Sequence, residues 1–566
     1  MRSAKKALLY WNTLRYLKPI QIYRRFWFRY YQPSLNCDVP QIHLAKPKGI
    51  WRRPVAHSQS IIEKNTFRFL NQTQEIFGAD GWNDPKLPKL WLYNLHYFDD
   101  LNAQKASDRL EWHHQLMALW VAENPPTRGN GWEPYPSSLR IVNWIKWSLA
   151  GNKLGAVETK SLYLQARWLA MRVEWHLLGN HLLANAKALV FAGTFFDSDE
   201  SRAWLILGRK ILEGQIPEQI LADGVHFERS PMYHAIILED VLDLANLAQT
   251  FSDKLDSNFL ASMRTVGKNM LLAYEKLNHP DGKIAFFNDA ALEIAASLSQ
   301  LSDYAQSLGA DDVSRMSGVE CQHSNELSLV HLGEAGYIRI QSNDACAILD
   351  VAEIGPDYLP GHAHADSLSF ELSVFGERLI VNGGTSTYAG GLRSYERSTK
   401  SHSTVEIDGE DSSEVWGHFR VANRAAPLDL SVINTKQGFE ISCAHNGYQR
   451  LISRLMHSRT WNMSAKDLVV NDRVNGGDMK PPNGLPRSVA RYILHPSVKI
   501  SSGNANYWEL QLPNQRLLQL IVHSGNAYLE KSVYAPEFGI SQETQCVVVE
   551  LVGNGSLGSR VQFQWG

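Results

Sequence analysis

Two histidines one residue apart, in Gly361-His362-Ala363-His364-Ala365-Asp366, are the sharpest chemical signal in the chain. Read as one strand with Ser367 to Leu372, even-numbered positions share a face, so both imidazoles and Asp366 align with Leu368, Phe370 and Leu372. Imidazoles on a core-facing edge need partners, because an unpaired buried polar group costs about 1–3 kcal/mol. A metal, a substrate or a hydrogen-bond network can supply them, and two satisfied structural histidines are the plainer reading of the pair alone. A third histidine, His402, enters another strand pattern that ends at Ile407-Asp408-Gly409, with Asn382 between the two segments. Three histidines on neighbouring strands could complete a zinc-type site. Asn382 offers only a neutral oxygen, a poorer ligand than Asp.

Two further signals lie in the N-terminal half. Gly179-Asn180-His181 follows one apolar helical pattern and opens another, with Asn185 one turn beyond His181. Gly ends helices and Asn caps them, so by itself the pair reads as a cap. The segment Asp223 to His234 contains Ser230-Pro231, an N-cap and first helical residue. That places Tyr233 and His234 in the first turn, where side chains project from a domain rim. A Tyr in such a place is more often packed than catalytic.

These signals need two kinds of scaffold. From about Arg109 to Leu298 apolar residues recur at helical spacing, in segments such as Ser161 to Trp175, His181 to Thr194, Pro231 to Phe251 and Ser257 to Leu277. They come in successive pairs and predict helical hairpins in a ring or partial ring. After Ser317 the texture becomes strand-like, as in Leu329 to Ile340, Ala345 to Val351, Ser367 to Val374 and Cys546 to Val552. The expected fold class is α+β and multidomain, the second half a large antiparallel sandwich, with a boundary between residues 310 and 328.

Bulk composition narrows the function. A chain of 566 residues buries more than one core. Its formal net charge of -2 excludes a nucleic-acid binder held by global phosphate neutralisation. Seventeen Trp and 21 Tyr can stack on sugar rings, although most large aromatics are core. Cys37, Cys321, Cys346, Cys443 and Cys546 are odd in number and widely spaced, which argues against a disulfide framework or a thiolate zinc site. The stretch Leu8 to Tyr31 is broken by Arg15, Lys18, Arg24, Arg25 and Arg29, so no export signal is readable and a basic helix packed on its own domain is expected. No apolar run is long enough to span a membrane.

Taken together, GNHLLANAKAL (179–189), DGVHFERSPMYH (223–234), GHAHADSLSFEL (361–372) and SHSTVEIDG (401–409) resemble the heparinase II/III family of polysaccharide lyases. GWEPYPSSLRIVNWIKW (131–147), RSYERSTKSH (393–402) and SSEVWGHFRVANRA (412–425) extend the likeness. The resemblance implies an N-terminal (α/α) toroid followed by a C-terminal antiparallel β-sandwich, with the active site between them. The expected divisions are a basic and aromatic helical extension over 1–60, the toroid over 61–318 and the sandwich over 319–566. It implies that Asn180 neutralises a uronate carboxylate while Tyr233 and His362 transfer protons. Where relatives bind zinc, the ligand positions correspond to His364, Asn382 and His402, and Asn at 382 departs from the pattern. His181, Arg229, His234, Arg393, Arg397 and Trp132 are the candidate substrate-binding residues.

The implied reaction is β-elimination on an acidic polysaccharide, with no cofactor needed for the chemistry and a structural zinc ion in doubt. No nucleic-acid partner is expected. A toroid glycoside hydrolase would need two carboxylates flanking the bond, for which Asp223 and Glu228 are candidates. A uronyl C5-epimerase, or a non-catalytic glycan-binding factor of surface-polysaccharide assembly, would use a similar cleft. The resemblance implies a bacterial cell-envelope or periplasmic setting; with no readable export signal, the cytoplasm is the competing expectation.

Overall fold

The computed structural model describes residues 2–309, 319–324, 326–476 and 486–566. Two helices open the chain, α1 (Arg2–Leu14) and α2 (Pro19–Tyr30). The N-terminal extension is helical only this far, and residues 31–60 run without helix or strand apart from a bridge between Leu44 and Phe196. A three-stranded antiparallel meander, Ile61–Glu63, Thr66–Phe69 and Gln72–Glu75, precedes the helices, an element that a purely helical expectation for this region misses. Its strands are three or four residues long, too short for their alternation to register.

The helical domain contains α3 (Gly78–Gly81), α4 (Lys89–Tyr97), α5 (Leu110–Glu123), α6 (Pro134–Leu149), α7 (Ala156–Met171), α8 (Gly179–Phe195), α9 (Asp199–Gln219), α10 (Pro231–Thr250), α11 (Ser257–Lys276) and α12 (Leu298–Ser307). Helices α4, α6, α8, α10 and α12 touch one another in series, and α5, α7 and α9 form a second series outside them. This is a two-layer α/α toroid. Burial sorts the layers: every residue of α8 except His181 is buried, including Lys187, which is paired with Asp240 and Asp243. Helix α9 buries one stripe, Trp204, Gly208, Ile211, Leu212 and Ile216, at helical spacing. The two helices meet at Gly208, where a Cβ would stand 2.8 Å from the Ala186 carbonyl oxygen, so only glycine permits the approach.

The second domain holds a ten-stranded and an eight-stranded antiparallel sheet, with a short helix, α13 (Gly390–Glu396), on a connection. Inner-face residues such as Phe370, Trp461, Tyr492 and Phe563 interdigitate in a sandwich core. The expected strand over 329–340 is a hairpin of Leu327–Leu332 and Tyr337–Gln341. The boundary expected between 310 and 328 includes residues 310–318, which lie outside the described residues.

The outer face of the ten-stranded sheet packs on the toroid, since Val381, Ile493, Tyr534 and Val548 belong to the toroid's own apolar core. The segment between α11 and α12 makes the polar part of this junction. His279 bonds Glu371 at 2.9 Å and Ser373 at 2.8 Å, and Arg378 donates to Asp281 at 2.8 Å and to the Ile284 carbonyl at 2.9 Å. One sequence-based expectation fails here: residues 361–369 form a loop, and the strand begins only at Phe370. Asp366 accepts from the Asn288 backbone N–H at 2.9 Å and Leu368 sits at φ 59°, so contacts to the toroid replace the sheet ladder.

Candidate active site

The site forms where the first turn of α10 meets the 361–366 loop. Ser230 caps α10 by accepting from the Tyr233 N–H at 3.2 Å, and Pro231 starts the helix. Tyr233 is thereby aimed out of the toroid, its ring 4.0 Å from that of His362 between centroids. Its hydroxyl meets that of Tyr388 at 2.9 Å. Burial, with Tyr388 and Asp289 nearby, pushes the Tyr233 phenol well above its ordinary pKa. The Tyr233 phenol is therefore protonated in the resting site.

Asp289 organises the other side. Its carboxylate accepts from His362 Nδ1 at 2.8 Å, from His364 Nε2 at 2.8 Å and from both terminal nitrogens of Arg393. Burial alone would raise its pKa, but Arg393, His362 and His364 hold it well below the usual carboxylate range. An ionised carboxylate only accepts, so His362 carries a proton on Nδ1, and Nε2 is the ring nitrogen left free of Asp289. Glu228 Oε2 lies 3.8 Å from that Nε2. Both Glu228 oxygens are buried without a side-chain hydrogen-bond partner among the described residues, the Asn180 backbone N–H and His362 lie beside them, and burial raises the Glu228 pKa.

Asn180 occupies the second position of α8, is buried, and its carboxamide makes no hydrogen bond among the described residues. It is therefore not the cap its neighbours suggest. Gly179 precedes it at φ 54°, and a Cβ there would strike Leu359 Cδ2 at 2.2 Å, so glycine lets the sandwich loop close over the helix start. His181 stacks on Tyr135 at 4.4 Å and bonds Glu174 at 3.2 Å. Burial lowers its pKa but Glu174 more than offsets this, leaving it raised. Tyr388 and Phe419 close the aromatic wall around His362, at 5.9 and 6.1 Å.

Glu228 has His362, His181 and the Asn180 backbone around it, and Tyr233 packs on His362, so these four candidates lie around one crevice while the remaining candidates have other work. Trp132 is buried in the toroid core against Trp120 and donates to the Asn124 carbonyl at 3.1 Å. His234 is fully buried, joining the His226 N–H and the Met270 carbonyl. Arg229 clamps the domains by donating to the Glu353 carbonyl at 2.7 Å. Arg393 is buried on Asp289, and Arg397 is buried on the Ala363 and Gly417 carbonyls, holding the 361–366 loop. Both cations are consumed by structure before any substrate arrives.

Of the zinc-type set, His364 and His402 meet each other while Asn382 is turned to other partners. His364 spends Nδ1 on His402 Nε2 at 3.2 Å and Nε2 on Asp289. Asn382 Oδ1 accepts from the Ser403 N–H at 3.0 Å, and its amide nitrogen donates to Ser369. No group of three or more His, Cys, Asp or Glu is arranged to hold a metal ion among the described residues. The cation beside Asp289 is Arg393.

Asp289, Tyr388 and Phe419 are not singled out by the sequence, and Glu228 stands out there only as a hydrolase carboxylate. A signal for Asp289 exists: Asn288-Asp289 interrupts an otherwise apolar run from Ile284 to Leu292. Tyr388 and Phe419 carry no comparable mark, since aromatics in loops are common.

A helical toroid docked on an antiparallel sandwich, with Asn, Tyr and His gathered at the seam, defines a class of two-domain proteins. The chain belongs to the heparinase II/III-like family: the model of the heparinase II/III N-terminus matches residues 109–314, and that of the heparinase II/III-like C-terminal domain matches 326–564. A heparin-sulfate lyase of Pedobacter heparinus is 29% identical over 353 residues, covering 59% of this chain and 50% of that protein. A heparin-sulfate lyase of Bacteroides stercoris is 26% identical over 302 residues, covering 50% and 44%. The chain spans about half the length of these relatives. A crystal structure of heparinase III superposes with a TM-score of 0.63 at 15% identity over 96% of this chain and 89% of that one. The heparan sulfate lyase of Pedobacter heparinus, in a mutant form, gives 0.59 at 17% over 97% and 88%. These two show the shared fold.

Proposed function

We propose that this protein is a polysaccharide lyase that cleaves a uronic-acid-containing glycan by β-elimination. The observation that carries the reading is the contact of the Tyr233 phenol with the His362 imidazole, ring centroids 4.0 Å apart, one from each domain. The C5 proton of a 4-linked uronide is α to a carboxylate and weakly acidic until that carboxylate is neutralised. The unpaired carboxamide of Asn180 supplies the neutral donor for this, an oxyanion-hole role. His362 Nε2, the ring nitrogen left free of Asp289, takes the C5 proton. The electron pair forms the C4–C5 double bond, the C4–O4 bond breaks, and the protonated Tyr233 gives its hydrogen to O4. Asp289 orients the imidazole and stabilises its charged form, as the carboxylate of a catalytic triad does.

A hydrolase needs two free carboxylates across the bond. Asp223 is unsuited, because its oxygens accept from the Val225 and Ala335 N–H groups at 3.2 and 2.7 Å. The test is incubation with a panel of uronic-acid polymers. The expected product is an unsaturated, ultraviolet-absorbing chain end. Saturated reducing ends would replace this reading with a hydrolase, solvent-hydrogen exchange at C5 without cleavage with an epimerase, and binding without product with a glycan-binding factor.

A further inference from the structure

A cavity of about 110 Å³ lies between helix α2 and the end of α7 with the segment that follows it. Arg24, Arg172 and His176 line it, with Trp27, Phe28 and Trp175 as its flat walls. No acidic side chain lines it among the described residues. Arg24 Nε and His176 Nδ1 are buried there without a hydrogen-bond partner among the described residues, and the Arg24 guanidinium makes no ion pair among them. The Arg172 guanidinium is held over Phe28 at 3.7 Å by the Tyr31 and Phe28 carbonyls, and the His176 ring stacks on Phe28 at 4.2 Å, so these walls are built in place.

The volume is several times the roughly 10–15 Å³ that one water needs, which suits a sulfate or a carboxylate with part of its ring. Trp27, one of the walls, is 53% exposed. The cavity is also tied to the candidate active site through Glu174, two residues before His176. The Glu174 N–H donates to Asn185 of α8 at 2.8 Å, and its carboxylate bonds His181.

From these features we propose that α2 and residues 172–176 form a subsite for an anionic substituent, sulfate or carboxylate, on a sugar remote from the bond cleaved. Arg24 and His176 bind the oxygens, Arg172 contributes its positive field, and the aromatic walls cover the sugar ring. The assignment of the anion to a glycan rests on the function proposed above; the anion site itself does not.

Calorimetric titration of the intact chain tests it, in a Tyr233→Phe background so that nothing turns over. The probes are inorganic sulfate and a sulfated uronic-acid oligosaccharide. Arg24→Gln and His176→Gln are each expected to weaken both probes roughly tenfold or more, the worth of one charge-assisted hydrogen bond, while Arg24→Lys retains most of the binding. Equal melting temperatures exclude unfolding as the cause. Unchanged affinity in both Gln variants, or no sulfate binding by the parent, overturns the site. Sulfate binding that depends on Arg24 without oligosaccharide binding upholds the anion site and overturns its assignment to a glycan.

Discussion

Asp289, carried by the toroid segment between α11 and α12, and His362, carried by a sandwich loop, share a 2.8 Å hydrogen bond from Nδ1 to Oδ2. The same carboxylate takes His364 and Arg393, so docking of the two domains and orientation of the imidazole are one event. A reactive geometry that exists only when both domains are in place has measurable consequences.

Tyr233→Phe removes a hydroxyl and little packing, whereas His362→Ala removes an imidazole together with its ring contacts and its bond to Asp289. Turnover on an acidic polymer should fall by about 10²–10⁴ in either variant, with thermal melting nearly unchanged in Tyr233→Phe and lowered in His362→Ala. Full activity in either one removes it from the mechanism.

Asn180→Ala should lower kcat by about 10²–10³ with a small change in KM, because the carboxamide acts on charge that develops in the transition state. Asn180→Asp should be worse, since it places a second negative charge beside the substrate carboxylate. An aspartate variant more active than the alanine one would count against carboxylate neutralisation.

Asp289→Asn leaves Arg393 buried without its counter-ion. Removing one partner of such a pair costs about 3–5 kcal/mol, so denaturant unfolding should show a loss of that order together with loss of activity. A variant of parental stability would mean that the Arg393 charge is compensated elsewhere.

His234 gives a pH dependence of known sign. Burial lowers its pKa to about 4, against 6.5 for the free side chain. The unfolded chain takes up the proton near pH 6.5 and the folded chain only near pH 4, so its contribution is complete above 6.5 and is lost as pH falls to about 4. The slope approaches about 1.4 kcal/mol per pH unit for one such group. Stability curves of the parent and His234→Gln should therefore converge on acidification through this window. Parallel curves would show that His234 is not buried neutral.

Because the nitrogens of His364 and the oxygen of Asn382 are already engaged, a chelator should leave both melting temperature and turnover unchanged. A drop in either, restored by zinc, would require these side chains to rearrange around an ion.

The residues by themselves determined the two-part division, the helical pairing and the start of α10, because 3.6-residue and two-residue periodicities and a Ser-Pro cap are local properties. Asn180 and Tyr233 are marked out only by the family resemblance, since taken alone they read as a helix cap and a packed aromatic, whereas His362 stands out by its spacing from His364. What only the tertiary structure decided is which polar side chains face the crevice. Arg393, Arg397, His234 and Trp132 look like substrate contacts in sequence and are buried structural groups in the fold. Asp289 looks like a loop residue, and it binds the imidazole. The reason is physical: a charged side chain's role depends on which opposite charge lies within a few ångströms, and here the partners are 73 and 104 residues apart in the chain.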